Sequence, residues 1–191
     1  MTSAEPSSKR DARQAAYTIG HSTRGIDEFV DLLAENGVRL LVDVRRFPGS
    51  RRYPHFSGEP LAAALAQRGI GYRHEPDLGG RREADPRSPN TAWRVAAFRG
   101  YADHMATPVF RDALARVEDS AARMPTAILC AEAVPWRCHR QLIADALVSD
   151  GIEVRHILGR GQVQPHRIHP AAQRTLAGHL EYPGPAKRSK P

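Results

Sequence analysis

The stretch "TAILCAEAVPWRCHRQLIADALVSDGIEVRHIL", residues 126–158, decides the fold. Residues 126–132 are an apolar β-type run ending in Cys130 and Glu132, and 153–158 form a second such run. Between them Pro135, Cys138, His139, Leu142, Ile143 and Ala146 fall at i, i+3, i+4, i+7, i+8 and i+11, which is one face of a helix over 135–148. Pro135 suits the first helical position, where its missing N–H costs nothing. Strand, helix, strand is the unit of a parallel sheet, because parallel neighbours need a crossover connection.

Outward from this unit the same alternation recurs. "AYTIGHS" (16–22) predicts a first strand, followed by a helix in which Ile26, Phe29, Val30 and Leu33 share a face and Gly37 is the stop. "VRLLVDVRR" (38–46) predicts a second strand, apolar enough to be covered on both faces. Ser57 can cap a helix through about Arg68, ended by Gly69, and "IGYRHEP" (70–76) predicts a third strand. A Gly/Pro/Arg loop over 77–90 precedes helices over 91–105 and 108–122, and 77–100 is a candidate lid. The expected fold is a single α/β domain over 15–160, a mainly parallel sheet of about five strands with helices on both faces. Residues 1–14 are expected to be a disordered tail and 161–191 a loosely structured basic one.

The chain has 191 residues and two cysteines, no basic-then-apolar leader, and no apolar run near the roughly eighteen residues a membrane span needs. A cytoplasmic protein with free thiols and no membrane partner is the expectation. Its formal charge of +7 points to an anionic partner, a phosphorylated small molecule or nucleic acid. Arginine outnumbers lysine 25 to 3 and alanine is abundant, as a GC-rich genome produces unaided, so the charge argues for a ligand only where arginines cluster. All three lysines, Lys9, Lys187 and Lys190, lie near the termini; phosphate-loop, Schiff-base and kinase-type lysines are therefore absent from 10–186.

In an open α/β sheet ligands bind beyond the carboxyl ends of the strands. Those ends carry His21 and Ser22, Asp43, Arg45 and Arg46, Gly79 and Gly80, then Cys130 and Glu132, with His156 on the last strand. Cys138, His139 and Arg140 are expected in the first turn of the helix after Cys130. Three readings fit the cysteine pair. One thiol is a nucleophile activated by the helix N-terminus and neighbouring Arg or His, with Cys130 favoured; or Cys130, Glu132, Cys138 and either His139 or His21 hold zinc or iron; or both cysteines are small buried hydrophobes. Glu132, directly after a buried strand, is expected to meet Arg140 or Arg45. The segment 43–59 combines four arginines with Phe47, Tyr53, His55 and Phe56, a mixture suited to phosphate contact and base stacking.

Five ordered motifs, "TIGHS" (18–22), "LVDVRRFPGS" (41–50), "YRHEPDLGG" (72–80), "FRGYADHM" (98–105) and "ILCAEAVPWRCHR" (128–140), resemble the bacterial and archaeal domain-of-unknown-function family 488 over about 17–158. The resemblance implies a compact α/β domain and no established reaction; members are sometimes labelled DNA-repair proteins. The motif positions it marks are His21, Ser22, Asp43, Arg45, Pro48, Gly79, Gly80, Cys130, Glu132, Cys138, His139 and Arg140.

The leading expectation is an enzyme acting on a phosphate-bearing ligand, a nucleotide or nucleic acid. Arg45 and Arg140 would hold the anion with Ser22, Arg46, Gly79 and Gly80; His21, Asp43, Glu132 or His139 would handle protons; and Cys130 with Cys138 would form a reactive or metal-binding wall. The competing expectations are a non-catalytic nucleic-acid-binding module and a Cys/His/Glu metal-binding protein. The residues name no cofactor and do not fix an oligomeric state.

Overall fold

In the computed structural model, which describes residues 15–49 and 51–185, five parallel strands are joined by a sixth that turns back along one edge. They are β1 (Ala16–Gly20), β2 (Leu40–Asp43), β3 (Gly71–His74), β4 (Thr126–Cys130), β5 (Val154–Gly159) and β6 (Gln162–Pro165), in the spatial order β3-β2-β4-β1-β5-β6. Only the β5–β6 pairing is antiparallel.

Successive side chains of a strand point to opposite faces, and this divides the core in two. Ile19, Leu41, Ala127, Leu129 and Ile157 face α1 (Ile26–Glu35) and α2 (Gly58–Ala66). Ala16, Val42, Ile128, Cys130 and Val154 face α3 (Ala96–Met105), α4 (Pro108–Arg123) and α5 (Arg140–Ser149). The sheet thus has helices on both faces, and its central strands β2 and β4 are buried on both sides as the sequence implies, whereas β3 and β6 are largely exposed. Local signals set the helix ends: Thr107 accepts from the Phe110 N–H ahead of Pro108 in α4, and Gly37 and Gly69 take φ of +68° and +67° after α1 and α2.

Two expectations about organisation change. Residues 161–185, assigned above to a loose tail, carry β6 and a hairpin of β7 (Gln173–Arg174) and β8 (Leu180–Glu181). They are fixed from within: Asp145 on α5 has no exposed surface and accepts from His166 Nε2 at 2.7 Å, the His169 N–H at 2.9 Å and the Tyr182 hydroxyl at 2.9 Å. His166 in turn meets His156 at 2.9 Å, which meets the Thr18 hydroxyl at 2.7 Å. The tails expected at 1–14 and 186–191 lie outside the described residues.

The proposed lid is also tied down. A Cβ on Gly100 of α3 would lie 2.5 Å from the Arg82 carbonyl oxygen, so the loop packs directly on that helix. Asp103 accepts from the Asp85 N–H, the Ser88 hydroxyl and the Asn90 amide, and Asn90 accepts from the Tyr182 N–H. Among the described residues no helix is long and apolar enough to cross a membrane.

β1 and β4 are neighbours, with Gly20 opposite Cys130. The chain leaving β1 enters α1 on one face; the chain leaving β4 enters α5 on the other. Such a divergence opens a crevice at the carboxyl edge, the usual ligand position in open α/β sheets.

Candidate active site

Strand parity places Cys130 on the same face as Ile128, toward α5. The segment after it differs from the single helix expected over 135–148. Pro135–Arg137 is a separate 3₁₀ turn closed by Cys138 N–H to the Pro135 carbonyl, Cys138 is extended (φ −138°, ψ 146°), and α5 starts at Arg140. Cys138 therefore precedes the helix rather than riding in its first turn. Its sulfur accepts from the Arg140 N–H at 3.5 Å, so the helix N-terminus still favours negative charge there.

His139 completes the cluster. Its Nδ1 lies 3.8 Å from Cys130 Sγ and 3.7 Å from Cys138 Sγ, and the ligating atoms of the three residues lie within 4.8 Å of one another. The ring packs on Tyr101 at 4.9 Å, and Gly80 leaves it room: a Cβ there would come within 2.8 Å of Nδ1. Both thiols are buried, 7% and 3% exposed. They titrate as a pair. The Cys138 interaction first, then burial, pushes Cys130 well up. Burial also raises Cys138, but the bonds from Cys130 and His139 and the Arg140 charge outweigh it, leaving Cys138 well below the ordinary thiol value. One proton leaves this dyad readily and the second is held.

Above the cluster lies an open cavity of about 530 Å³. Its floor is Cys130, Cys138 and His139, and Arg45, Arg46, Arg81 and Arg137 line its walls with Phe47, Phe98 and Glu132. Phe47 is 67% exposed. Arg81, whose carbonyl accepts from Arg46 Nη1 at 3.1 Å, has a left-handed backbone at φ +60°, a conformation that costs a non-glycine residue about 1 kcal/mol or more.

Of the expected site residues, Arg45, Arg46, Gly80, Cys130, Glu132, Cys138 and His139 line this cavity. His21, Ser22, Asp43, Gly79 and Arg140 do not. Asp43 is fully buried and accepts from Arg45 Nε at 2.8 Å, Arg45 Nη2 at 2.6 Å, the Arg45 N–H at 3.0 Å and the Tyr72 hydroxyl at 2.8 Å. A carboxylate so saturated has no lone pair left for a substrate proton, and it also engages two of the three Arg45 nitrogens. His21 is stacked on Phe56 at 4.5 Å, its Nδ1 bonded to the Ser22 carbonyl, and burial followed by the Arg45 charge lowers it to about 4. It is a neutral packing imidazole rather than a proton carrier at the cavity. Ser22 takes φ +49° in the turn after β1, bound through its N–H to the Ala131 carbonyl.

Arg140 was expected to grip an anion or Glu132. It is 1% exposed and donates instead to the backbone carbonyl of Glu132 at 2.5 Å, while the Glu132 side chain stands in solvent beyond the strand end. The premise of a buried Glu132 fails because β4 stops at Cys130, two residues earlier. Gly79 packs against Arg46, where a Cβ would lie 2.9 Å from that side chain. His156 belongs to the separate Thr18–His166 chain. Of the aromatic residues in 43–59, Phe56 is core and Phe47 alone lines the cavity. Phe98 and Ala97, at the start of α3, went unread because they sit at no strand end.

A family model described as domain of unknown function DUF488 matches residues 25–147, which takes in four of the five motifs and leaves "TIGHS" outside. No curated protein and no solved structure matches the chain.

Proposed function

The chain belongs to the domain-of-unknown-function family 488, and since that membership carries no reaction, we propose from the cavity itself that the protein is an enzyme acting on a phosphate-bearing ligand, a nucleotide or nucleic acid. The observation that carries this reading is the convergence of Arg45, Arg46, Arg81 and Arg137 on one cavity whose floor is two thiols and an imidazole. Guanidinium groups match phosphate oxygens in pairs. Phe47 at the rim offers a face on which a base can stack. Cys130, Cys138 and His139 place groups capable of proton transfer or nucleophilic attack below the bound anion. The free thiols suit a reducing, cytoplasmic setting.

Calorimetric titration with nucleoside mono-, di- and triphosphates and a short single-stranded oligonucleotide tests the reading. Arg46→Ala, Arg81→Ala and Arg137→Ala should each weaken binding about tenfold, the loss of one exposed charge-assisted contact. Cys138→Ser should spare binding and stop turnover. Affinities unmoved by all three arginine changes would refute the anion site. Binding that falls steeply with salt, ignores Cys138→Ser and accompanies no turnover would make the protein a nucleic-acid-binding module instead.

A further inference from the structure

The floor of the cavity holds a second piece of chemistry, independent of what the arginines bind. We propose that Cys130 Sγ, Cys138 Sγ and His139 Nδ1 form a three-ligand site for a borderline-soft divalent cation, zinc by ligand type, with its fourth position open to the cavity.

Spacing is the first support. A tetrahedral zinc with bonds of about 2.3 Å to sulfur and about 2.0–2.1 Å to nitrogen sets its nitrogen and sulfur ligands roughly 3.6 Å apart. The separations here are 3.7 and 3.8 Å, so each atom needs to move only slightly. Without a cation the imidazole is poorly satisfied. Nδ1 meets only sulfur, a weak partner, and a cation between it and the two sulfurs would satisfy its lone pair.

Charge is the second support. Two thiolates with one divalent cation are neutral, a state a buried floor tolerates far better than two bare thiolates. The Arg140 N–H on Cys138 Sγ and the absence of a side chain at Gly80 hold the sulfur and the ring in place, as outer contacts do in metal sites. Glu132, counted among candidate ligands in the sequence, is absent from the cluster and exposed. Two Cys and one His with the fourth place open is a donor set found in catalytic rather than closed structural zinc sites. All three side chains line the cavity, so a water or a ligand atom could occupy that place.

Cobalt(II) is the probe. Reduced, chelator-treated protein should take up one cobalt per chain. The complex should show a thiolate-to-cobalt charge-transfer band and the strong visible bands of four-coordinate cobalt, with zinc displacing it. Cys130→Ser, Cys138→Ser and His139→Ala should each weaken uptake roughly a hundredfold or more, since loss of an outer partner alone costs 10–100-fold. Gly80→Ala, which crowds the ring without removing a ligand, should weaken it less. Azide or a small thiol should shift the visible bands through the open position. No charge-transfer band, or uptake unchanged in the Cys130→Ser/Cys138→Ser double variant, would overturn the site; bands indifferent to added anions would overturn the open position.

Should the serine variants not fold, reversible methylthiolation of the native protein replaces them. It must abolish the band and reductant must restore it; cobalt uptake by the blocked protein would overturn the proposal. Nucleotide titration of the metal-free protein separates the two readings, because the arginine walls and the thiol floor fail independently.

Discussion

Removing Asp43 should cost more stability than removing almost any other single side chain at the carboxyl edge. Its carboxylate is fully buried and takes four hydrogen bonds, three of them from Arg45, whose own side chain is 7% exposed. The pair holds Arg45 charged, the bond to Asp43 overcoming the opposing effect of burial. Asp43→Ala leaves that guanidinium buried without its counter-charge, with only the Phe56 carbonyl at 2.7 Å still accepting from it. Breaking one side of a buried ion pair costs about 3–5 kcal/mol. At about 2–4 °C per kcal/mol for a domain of this size, the melting temperature should drop by roughly 6–20 °C.

Urea unfolding followed by tryptophan fluorescence measures this, with an unchanged slope required before the midpoints are converted into free energies. Arg45→Met alone should cost a similar amount, because Asp43 would lose its counter-charge and keep only the Tyr72 hydroxyl and the backbone N–H of residue 45. The double variant Asp43→Ala/Arg45→Met should cost clearly less than the two singles together, since apolar replacement of both partners leaves no orphaned charge. A loss under about 1 kcal/mol for Asp43→Ala, or strict additivity in the double variant, would refute the assignment of Asp43 to holding Arg45. It would also reopen Asp43 as a catalytic acid or base.

Acid should destabilise the fold through two histidines held neutral in the native state. Burial first, then Arg45 for His21 and His166 for His156, lowers them from 6.5 to about 4 and about 3. The unfolded chain binds both protons at higher pH than the native one, so stability is full above about pH 6.5 and declines as pH falls toward 4 and then 3. Urea midpoints that stay level from about pH 7 to 4.5 would contradict this, and His21→Gln should flatten the upper part of the decline. Asp145→Ala should cost about 2–5 kcal/mol, roughly 1–3 per stranded donor, and release 162–182, because His166, His169 and Tyr182 all lose their acceptor. Faster amide exchange across β6 and around Tyr182 checks it; unchanged protection there would show that the strap is held by something else.

Much of the sheet was legible because its strands and helices obey their periods. β1, β2, β3 and β4 fall inside the runs at 16–22, 38–46, 70–76 and 126–132, each shorter than the run because residues past the ladder extend the pattern without pairing, and β5 matches the run at 153–158 shifted by one residue to 154–159. β6 left no such trace: Gln162, Val163, Gln164 and Pro165 are all exposed, so the edge strand has no buried alternation to read. Tyr182, a lone aromatic in a Pro/Gly-rich segment, gave no period either, yet it is fully buried against Asp145. Helical periodicity points to the right place for the cysteine cluster, but not for the right physical reason. Helical spacing brought Cys138 and His139 toward the sheet, whereas a 3₁₀ turn and an extended Cys138 do so in the structure. The Asp43–Arg45 pair did have a sequence signal, because residues two apart on an extended segment share a side.

What the motifs have in common becomes clear from the loop that follows β4. It passes so close over the end of β1 that a Cβ on Gly20 would lie 1.7 Å from the Glu132 carbonyl oxygen, and the same oxygen is held by Arg140 from below. Gly20 and Arg140 therefore set the path by which the chain leaves Cys130 and returns to Cys138, while Asp43 fixes Arg45 beside it. A Cβ at position 20 would push the loop off the sheet and separate the two sulfurs, with no change to any group that lines the cavity. The residues gathered at this edge thus fall into two kinds, those that line the cavity and those that do not. Gly20, His21, Asp43 and Arg140 are closed off and shape the edge; Arg46, Arg81, Arg137, Cys130, Cys138 and His139 border open space. Chemistry at this edge belongs to the second group, and its geometry depends on the first.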